Sequence, residues 1–180
     1  IKENKDKSFF IYLAHNMPHV PIFASEKFRG KSRNGVYGDV LMELDHYVGK
    51  VTEALQETGI SRKTLVIFTS DNGPWTMFPE FAGVATPLRG EKGTTWEGGV
   101  RVPAAVRWPD QFPAGEVVNG IVSHQDWMPT LLAAAGEPDV KEKLLEGHSA
   151  MGRDYKVHLD GYNMLDYFKS GGEGDGPRQE

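Results

Sequence analysis

The apolar residues change their spacing once in the first half of the chain, and this change narrows the possible folds. From Val40 to Leu55 they recur every three or four residues, which predicts one face of an amphipathic helix. Asp39 is its predicted N-cap and Gly59 its predicted stop. The run at 64–69 (TLVIFT) is short, apolar and β-branched, which predicts a strand. A helix that leads into a buried strand is typical of an α/β fold.

Other apolar runs predict further elements on both sides of this pair. Residues 9–14 (FFIYLA) predict a strand buried on both faces, residues 104–108 predict another strand, and residues 120–123 predict a short one. Residues 126–135 predict a helix with Pro129 in its first turn and Gly136 at its end. Right-handed crossovers between such elements would make much of the sheet parallel.

The composition indicates a folded chain and excludes several functions. The 180 residues amount to about one domain, and 39% hydrophobic residues suffice for a core. A net charge of −5 argues against a general nucleic-acid-binding protein. The absence of Cys excludes disulfides, Cys-ligated zinc and a thiolate nucleophile. No apolar run approaches the roughly 20 residues that a membrane span needs.

The two ends of the chain resemble cuts in a longer protein. The first residues, IKENKDK, are not followed by the apolar stretch of a signal peptide. The last residues, GGEGDGPRQE, are polar and rich in Gly, as in a loop. We therefore expect a partial domain in which residues 1–180 form one unit and residues 136–180 its loop-rich C-terminal segment.

Polar side chains follow two of the predicted strands, where ligands bind in open α/β sheets. Asp71, Asn72 and Gly73 follow the strand at 64–69. Carboxylate and amide oxygens are the ligands that Ca²⁺ and Mg²⁺ prefer. The same tripeptide is also typical of an Asx turn that closes a strand, so both interpretations stay open.

His15 and His19 follow the predicted strand at 9–14. They are four residues apart, but Pro18 and Pro21 exclude the helix that a zinc-binding His pair would need. A loop His at a strand end can act as a general acid. The alternative is a histidine that only makes hydrogen bonds at the surface.

A Gly-rich loop at residues 90–99 (GEKGTTWEGG) carries Lys92. Glycines allow the backbone to approach a ligand closely, and Lys92 is a candidate point charge for an anionic substrate. The Walker spacing is absent, so the loop is not a P-loop. The alternative is a mobile surface loop. Trp75 is close enough to Asp71 in the sequence to line the same pocket.

Together, six segments in this order resemble the sulfatase family, and the arylsulfatases in particular. The segments are FFIYLAHNMPHVP, GDVLMELDHYVGKVTEAL, KTLVIFTSDNGP, GEKGTTWEGGVRVPAAVRWP, SHQDWMPTLLAAAG and HLDGYNMLDYF. The resemblance spans about residues 9 to 168. It implies an alkaline-phosphatase-like α/β fold, which is a mixed, mostly parallel sheet flanked by helices.

The resemblance implies a role for each candidate residue. Asp71 and Asn72 would ligate a divalent cation, usually Ca²⁺, with Mg²⁺ as the alternative. His19 would be the general acid at the bridging oxygen of the substrate, and Lys92 would bind a sulfate oxygen. The implied reaction is the hydrolysis of sulfate monoesters, so the implied partner is a sulfated small molecule or a sulfated glycan. The family also implies an extracytoplasmic location, which can be periplasmic, secreted or lysosomal.

One part of the family pattern is missing from this sequence. The family nucleophile is formylglycine, made from Cys or Ser in a Cys/Ser-x-Pro-x-Arg motif, and the chain has no Cys and no Ser-x-Pro-x-Arg. The paired Asp ligands, a second Lys and a second His of the family are absent too. We therefore expect the C-terminal half of a sulfatase catalytic domain, inactive by itself. Two alternatives stay open: a non-catalytic sulfatase-scaffold protein that binds sulfated glycans, and a phosphodiesterase or phosphonate hydrolase of the same superfamily.

Overall fold

The computed structural model describes residues 1–179 of the chain. Its contacts divide the chain into two compact units, of which the first is Ile1–Trp108 and the second begins at Pro109. The expected assignment of the whole chain to one partial domain stays a prediction. Among the helices of residues 1–179, none combines the length and the hydrophobicity that a membrane span requires.

The first unit contains the predicted helix and two of the predicted strands. Its elements are α1 (Gly35–Glu57), β1 (Val66–Thr69), the one-turn helix α2 (Glu97–Val100) and β2 (Ala104–Arg107), with 3₁₀ turns at Lys2–Asn4, Ser61–Lys63 and Pro79–Phe81. β1 and β2 pair antiparallel, with Val66 opposite Arg107 and Thr69 opposite Ala104. The strand β1 thus ends directly before Ser70 and the Asp71–Asn72 pair.

The predicted N-cap role of Asp39 is wrong. The helix α1 begins at Gly35, so Asp39 lies inside the helix, where it is buried. Its carboxylate accepts hydrogen bonds from the backbone N–H groups of Gly30 and Ser32, each at 2.7 Å. The carboxylate closes the loop before the helix, so it is not available to cap the first turn.

The predicted end of α1 at Gly59 is confirmed. Gly59 has a φ of +74°, a conformation that favours glycine. The N–H groups of Gly59 and Ile60 donate to the carbonyl oxygens of Gln56 and Leu55, at 3.0 and 3.1 Å. This double hydrogen bond is a Schellman motif, which satisfies the last carbonyl groups of the helix.

Two predicted strands are not formed. Residues 9–14 have no regular secondary structure, and Phe10 and Tyr12 are 72% and 84% exposed. Residues 120–123 are likewise irregular. A strand needs neighbours for its backbone polar groups, and within residues 1–179 no segment pairs with either run. Both strand pairings that the structure does describe are antiparallel, so the parallel neighbours implied by the family fold do not lie among these residues.

The second unit is built around one small aromatic core. Its elements are α3 (Trp127–Ala134), α4 (Val140–Glu146), the hairpin β3 (His148–Ala150) and β4 (Arg153–Tyr155), and α5 (Leu165–Lys169). The predicted helix is confirmed as α3, with Pro129 in its first turn and Gly136 at a φ of +100° just past its end. Met164, Tyr167 and Phe168 are buried and pack with Trp127.

Candidate active site

All four candidate site residues lie in the first unit. Asp71 and Asn72 follow the last residue of β1, His19 lies in a turn that contains two cis-prolines, and Lys92 lies in a turn of the Gly-rich loop. Asp71 and His19 are exposed, whereas Asn72 and Lys92 are partly buried. All four residues therefore lie on loops, and Asp71 and Asn72 lie just past the end of β1.

The side-chain oxygens of Asp71 and Asn72 are free to bind a cation. The Nδ2 group of Asn72 donates to the carbonyl oxygen of Gly73 at 2.8 Å, and among the described residues 1–179 its Oδ1 atom has no hydrogen bond. Within residues 1–179, the carboxylate of Asp71 has no hydrogen bond or ion pair. Two hard oxygen donors fit Ca²⁺ or Mg²⁺, but Ca²⁺ takes about 6–8 oxygens. No cluster of three or more His, Cys, Asp or Glu able to hold a metal occurs in the described part of the chain.

The indole ring of Trp75 contacts both His19 and Lys92. The centroids of the His19 and Trp75 rings are 6.0 Å apart, with an angle of 42° between the planes. The ammonium nitrogen of Lys92 lies 5.3 Å from the centroid of the Trp75 ring, a cation–π distance. A candidate proton donor and a candidate anion-binding cation, far apart in the sequence, thus meet at one aromatic side chain.

Three hydrogen bonds between its sequence neighbours and the Lys92 loop, together with a ring contact, hold Trp75 in position. The backbone N–H of Lys92 donates to the carbonyl oxygen of Pro74 at 2.9 Å. The backbone N–H of Thr76 donates to the carboxylate of Glu91 at 2.6 Å, and the Thr76 hydroxyl donates to the same oxygen. The ring of Phe78 meets Trp75 edge to face, with centroids 5.0 Å apart. The segment around Trp75 is therefore joined to the Lys92 loop on both sides of the ring.

Two glycines of the Lys92 loop allow close contacts within the chain. That the glycines of this loop let the backbone approach a ligand stays a prediction, whereas Gly98 and Gly99 let it approach another segment of the chain. The N–H of Gly98 donates to the carbonyl oxygen of Arg89 at 2.7 Å, and the carbonyl oxygen of Gly99 accepts from the N–H of Gly73 at 2.9 Å. Small residues are needed here because two backbone segments are in contact.

One nitrogen of His19 is already occupied, which defines the atom that faces a substrate. Its Nδ1 atom lies 2.8 Å from the carbonyl oxygen of Val20. Because a carbonyl oxygen only accepts, Nδ1 carries a proton, and Nε2 is the nitrogen available for proton transfer. By contrast, His15 is exposed and, within residues 1–179, makes no hydrogen bond, ion pair or ring contact.

Sequence reasoning missed how Trp75 and Glu91 organise this site. The position of Trp75, three residues after Asn72, suggested only that it lines a pocket. Nothing in the sequence pairs Glu91 with Thr76, because that contact depends on how two loops fold together. Asp71 and Asn72 are joined to the group around Trp75 through the backbone contact of Gly73 with Gly99.

The grooves of the molecule do not define this site. One of about 380 Å³ lies in the second unit and is lined in part by Tyr167 and Arg178. Another of about 170 Å³ lies between α1 and Phe68, with Leu41 and Val48 in its wall. Neither groove is lined by a candidate residue, so the candidate site is identified by the chemistry of its side chains.

The amino-acid sequence is similar to that of several curated sulfatases. The family model described as Sulfatase matches residues 1–137. The chain is 45% identical to arylsulfatase A of Homo sapiens over 136 residues, which are 76% of this chain and 27% of that protein. It is 38% identical to steryl-sulfatase of Mus musculus, over 84% of this chain and 25% of that protein. It is 40% identical to N-acetylgalactosamine-6-sulfatase of Canis lupus familiaris, over 78% of this chain and 27% of that protein.

The fold is similar to that of solved sulfatase structures. The PsFucS1 sulfatase from Pseudoalteromonas sp. matches with a TM-score of 0.76 and 32% identity, over 89% of this chain and 30% of that chain. Ps i-CgsB, solved in complex with k-i-k-neocarrahexaose, matches with a TM-score of 0.76 and 35% identity, over 93% of this chain and 35% of that chain. The expected alkaline-phosphatase-like α/β fold class is confirmed.

The chain spans about a quarter to a third of the length of these relatives. Its matched region includes His19, Asp71, Asn72 and Lys92, since the family model extends from residue 1 to residue 137. On the agreement of family model, curated relatives and fold, this chain belongs to the sulfatase family.

Proposed function

We propose that this chain forms part of the active site of an enzyme that hydrolyses sulfate monoesters. Membership in the sulfatase family supports the reaction class. The observation that most supports the site is the meeting of His19 and Lys92 at the Trp75 ring. The cleavage of a sulfate ester uses both an anion-binding cation and a proton donor.

His19 and Lys92 act on different oxygens of the ester. As the bond between sulfur and the bridging oxygen breaks, negative charge develops on the leaving oxygen and on the peripheral sulfate oxygens. The ammonium group of Lys92 binds a peripheral oxygen and offsets its charge. His19, when protonated on both ring nitrogens, donates the proton on Nε2 to the leaving oxygen, which departs as a neutral alcohol and leaves a neutral imidazole. Its Nδ1–H bond to Val20 keeps the ring oriented during this transfer.

Asp71 and Asn72 are the residues of this chain that would hold a divalent cation. Their free oxygens suit Ca²⁺, with Mg²⁺ as the alternative. When bound, the cation supplies positive charge that stabilises the negative oxygens of the substrate. Sulfatases in general use a metal ion and formylglycine. The chain has no Cys and no Ser-x-Pro-x-Arg, so the nucleophile and the remaining ligands would come from outside its 180 residues.

The proposal also includes a substrate class and a cellular compartment, both based on the family. A relative named N-acetylgalactosamine-6-sulfatase and a neighbour solved with an oligosaccharide support a sugar sulfate as the substrate, and the name arylsulfatase A of another relative supports an aryl sulfate as the alternative. We expect the protein to work in an extracytoplasmic compartment, as a periplasmic, secreted or lysosomal enzyme.

The proposal is tested first by sequencing the gene upstream of the codon for Ile1. We expect a Cys/Ser-x-Pro-x-Arg motif and a pair of adjacent Asp codons. A reading frame that starts near Ile1, or a motif without Cys and Ser, would overturn the proposal in favour of a non-catalytic member of the family.

The encoded protein then allows a test of the two side chains. We expect His19→Ala and Lys92→Ala each to lower kcat/KM for an aryl sulfate by about 10²-fold or more. Lys63→Ala is the matched control, because Lys63 is exposed and lies outside the site. If both site variants keep the kcat/KM of the control, the assigned roles are wrong.

A further inference from the structure

We propose that residues 27–33 form a second anion-binding surface beside the candidate site, and that the substrate is a multiply sulfated glycan. The inference rests on the proposed function and specifies the substrate class of the proposed enzyme. It concerns a loop, named here the basic loop, that plays no part in the chemistry proposed above.

The basic loop concentrates positive charge in an acidic chain. Its cations occupy every second position and all are exposed: Lys27, Arg29, Lys31 and Arg33. The chain as a whole has a net charge of −5, so the remainder of the chain is more acidic still. A local concentration of this kind attracts anions, even though the whole chain does not.

Among residues 1–179, the cations of the basic loop form no ion pair with a carboxylate of the protein, since no carboxylate lies within 4.0 Å of any of their nitrogens. The ammonium group of Lys27 instead lies 3.0 Å from Nε2 of His46 and 4.9 Å from the centroid of the Phe28 ring. Elsewhere on the surface, Lys50 and Lys143 do form ion pairs with glutamates. The cations of the basic loop therefore remain available to a ligand.

The backbone of the basic loop is held in one shape. The side chain of Phe28 is buried, and its backbone N–H donates to the carbonyl oxygen of Ser25 at 2.9 Å. The buried carboxylate of Asp39 binds the N–H groups of Gly30 and Ser32. The hydrogen bonds from Ser32 and Gly30 lower the pKa of Asp39, so this carboxylate stays ionised at neutral pH. A loop that is ordered in advance loses less entropy when it binds.

The basic loop and the segment that carries His19 pack on the same small core. This core consists of Ala24, Phe28 and Val40, with Met17 and Ile22 packed against it. Phe28 anchors the basic loop, whereas Met17 and Ile22 flank His19 on both sides. Both segments are thus fixed to one core, and in the proposal one ligand places one sulfate at His19 and Lys92 and another at the basic loop.

A short sulfated glycan fits this surface better than a nucleic acid does. A long polyanion would extend over the acidic remainder of the chain, where it is repelled. An oligosaccharide with a few sulfates needs only the local patch. The solved neighbour that carries a hexasaccharide indicates that ligands of this length occur in the family.

The test is calorimetric titration of the chain with a heparin-derived hexasaccharide. In the triple variant Arg29→Ala, Lys31→Ala, Arg33→Ala, we expect the affinity to fall at least about tenfold, since each exposed charge contributes up to about a fivefold effect. The matched control is Lys5→Ala, Lys7→Ala, Lys63→Ala, which removes the same charge from exposed positions elsewhere. We expect this control to change the affinity less than about threefold.

Equal losses in the two triple variants, or no loss in the first, would overturn the inference. It is also overturned if a DNA hexanucleotide binds as tightly as the hexasaccharide and loses affinity in the same variant. Titration with inorganic sulfate separates this outcome from failure of the proposed function. We expect Lys92→Ala to weaken sulfate binding at the candidate site and the basic-loop variant to leave binding at that site unchanged. If Lys92→Ala has no effect on sulfate, the proposed site fails, whatever the basic loop does.

Discussion

A Cβ atom added to Gly73 would lie 1.8 Å from the carbonyl oxygen of Gly98, so the turn after β1 and the start of α2 touch backbone to backbone. The N–H of Gly73 also donates to the carbonyl oxygen of Gly99. This contact joins the turn that carries Asp71 and Asn72 to the loop that carries Lys92. The geometry of the candidate site therefore depends on a residue that has no functional side chain.

Gly73→Ala should destabilise the protein, because the added methyl group forces the two backbone segments apart. Overpacking of this kind costs about 1–3 kcal/mol. Urea unfolding of the variant and the parent chain measures the difference. Gly49→Ala is the matched control: Gly49 lies within α1 with open space around it, so the same change should stabilise by about 0.5–1 kcal/mol. Equal stability of the two variants would contradict the close contact.

Trp75→Ala should weaken the binding of inorganic sulfate by about threefold, because it removes the ring that contacts Lys92 and His19. Trp75→Phe should retain most of the affinity, since a smaller aromatic ring remains. NMR titration of the chain with sulfate measures both variants.

A second tryptophan provides the control for this prediction. Trp96 also has a cation over its ring, the guanidinium of Arg89 at 3.7 Å. It makes no ring contact with His19 or Lys92 among residues 1–179. Trp96→Ala should therefore leave sulfate binding unchanged. Sulfate binding that is insensitive to Trp75→Ala would show that the ring has no positioning role.

Acid should weaken the second unit through Asp126. This carboxylate is fully buried and forms an ion pair with Arg178 at 2.8 Å. Burial alone would raise the pKa of Asp126, but hydrogen bonds from Arg178, Tyr162 and Ser123 outweigh burial and lower it. A lowered pKa stabilises the fold fully above the unfolded pKa of about 4, and this stability is lost as the pH falls through the folded pKa. Unfolding in urea at pH 7 and at pH 3 measures the loss.

Arg178→Ala tests the partner of this carboxylate. Breaking a buried ion pair leaves an unpaired charge and costs about 3 kcal/mol or more at pH 7. Arg101→Ala removes an exposed pair with Glu97 and should cost less than about 1 kcal/mol. If the two variants lose the same free energy of unfolding, the buried ion pair contributes no more to stability than the exposed one.

The chain alone should bind Ca²⁺ weakly, because Asp71 and Asn72 supply only part of the about 6–8 oxygens that the ion takes. Asp71→Asn should weaken this binding further by removing the one carboxylate, whereas Asp45→Asn, on the exposed surface of α1, should not. Calorimetric titration distinguishes these cases. A sub-micromolar dissociation constant for the parent chain would mean that more ligands are present than we assign.

The purified chain of 180 residues should not turn over an aryl sulfate, because it has no Cys and no Ser-x-Pro-x-Arg from which formylglycine is made. Release of 4-nitrophenol from its sulfate ester provides the assay. An intact formylglycine sulfatase in the same buffer is the positive control. Sustained turnover by the chain would require a different nucleophile within it.

Local patterns in the sequence predicted the helix α1 and the strand β1 of the unit that carries the candidate site. The apolar spacing of α1 and its end at Gly59 depend on neighbouring residues, as does the β-branched run that becomes β1. The run at 9–14 has the same local signal as β1, yet it forms no strand. Strand formation requires a partner, and no property of the run itself shows whether one is present.

By itself, the sequence determined the family, the helix α1 and the strand β1, and it supplied His19, Asp71, Asn72 and Lys92 as the candidate residues of the proposed site. Only the tertiary structure decided that Trp75 contacts both His19 and Lys92, that Glu91 binds Thr76, and that Asp39 closes the basic loop instead of capping α1. The physical reason is the separation along the chain over which each interaction acts. Helix periodicity and turn preferences act between close neighbours in the chain, whereas these contacts join segments that meet only when the loops fold against each other.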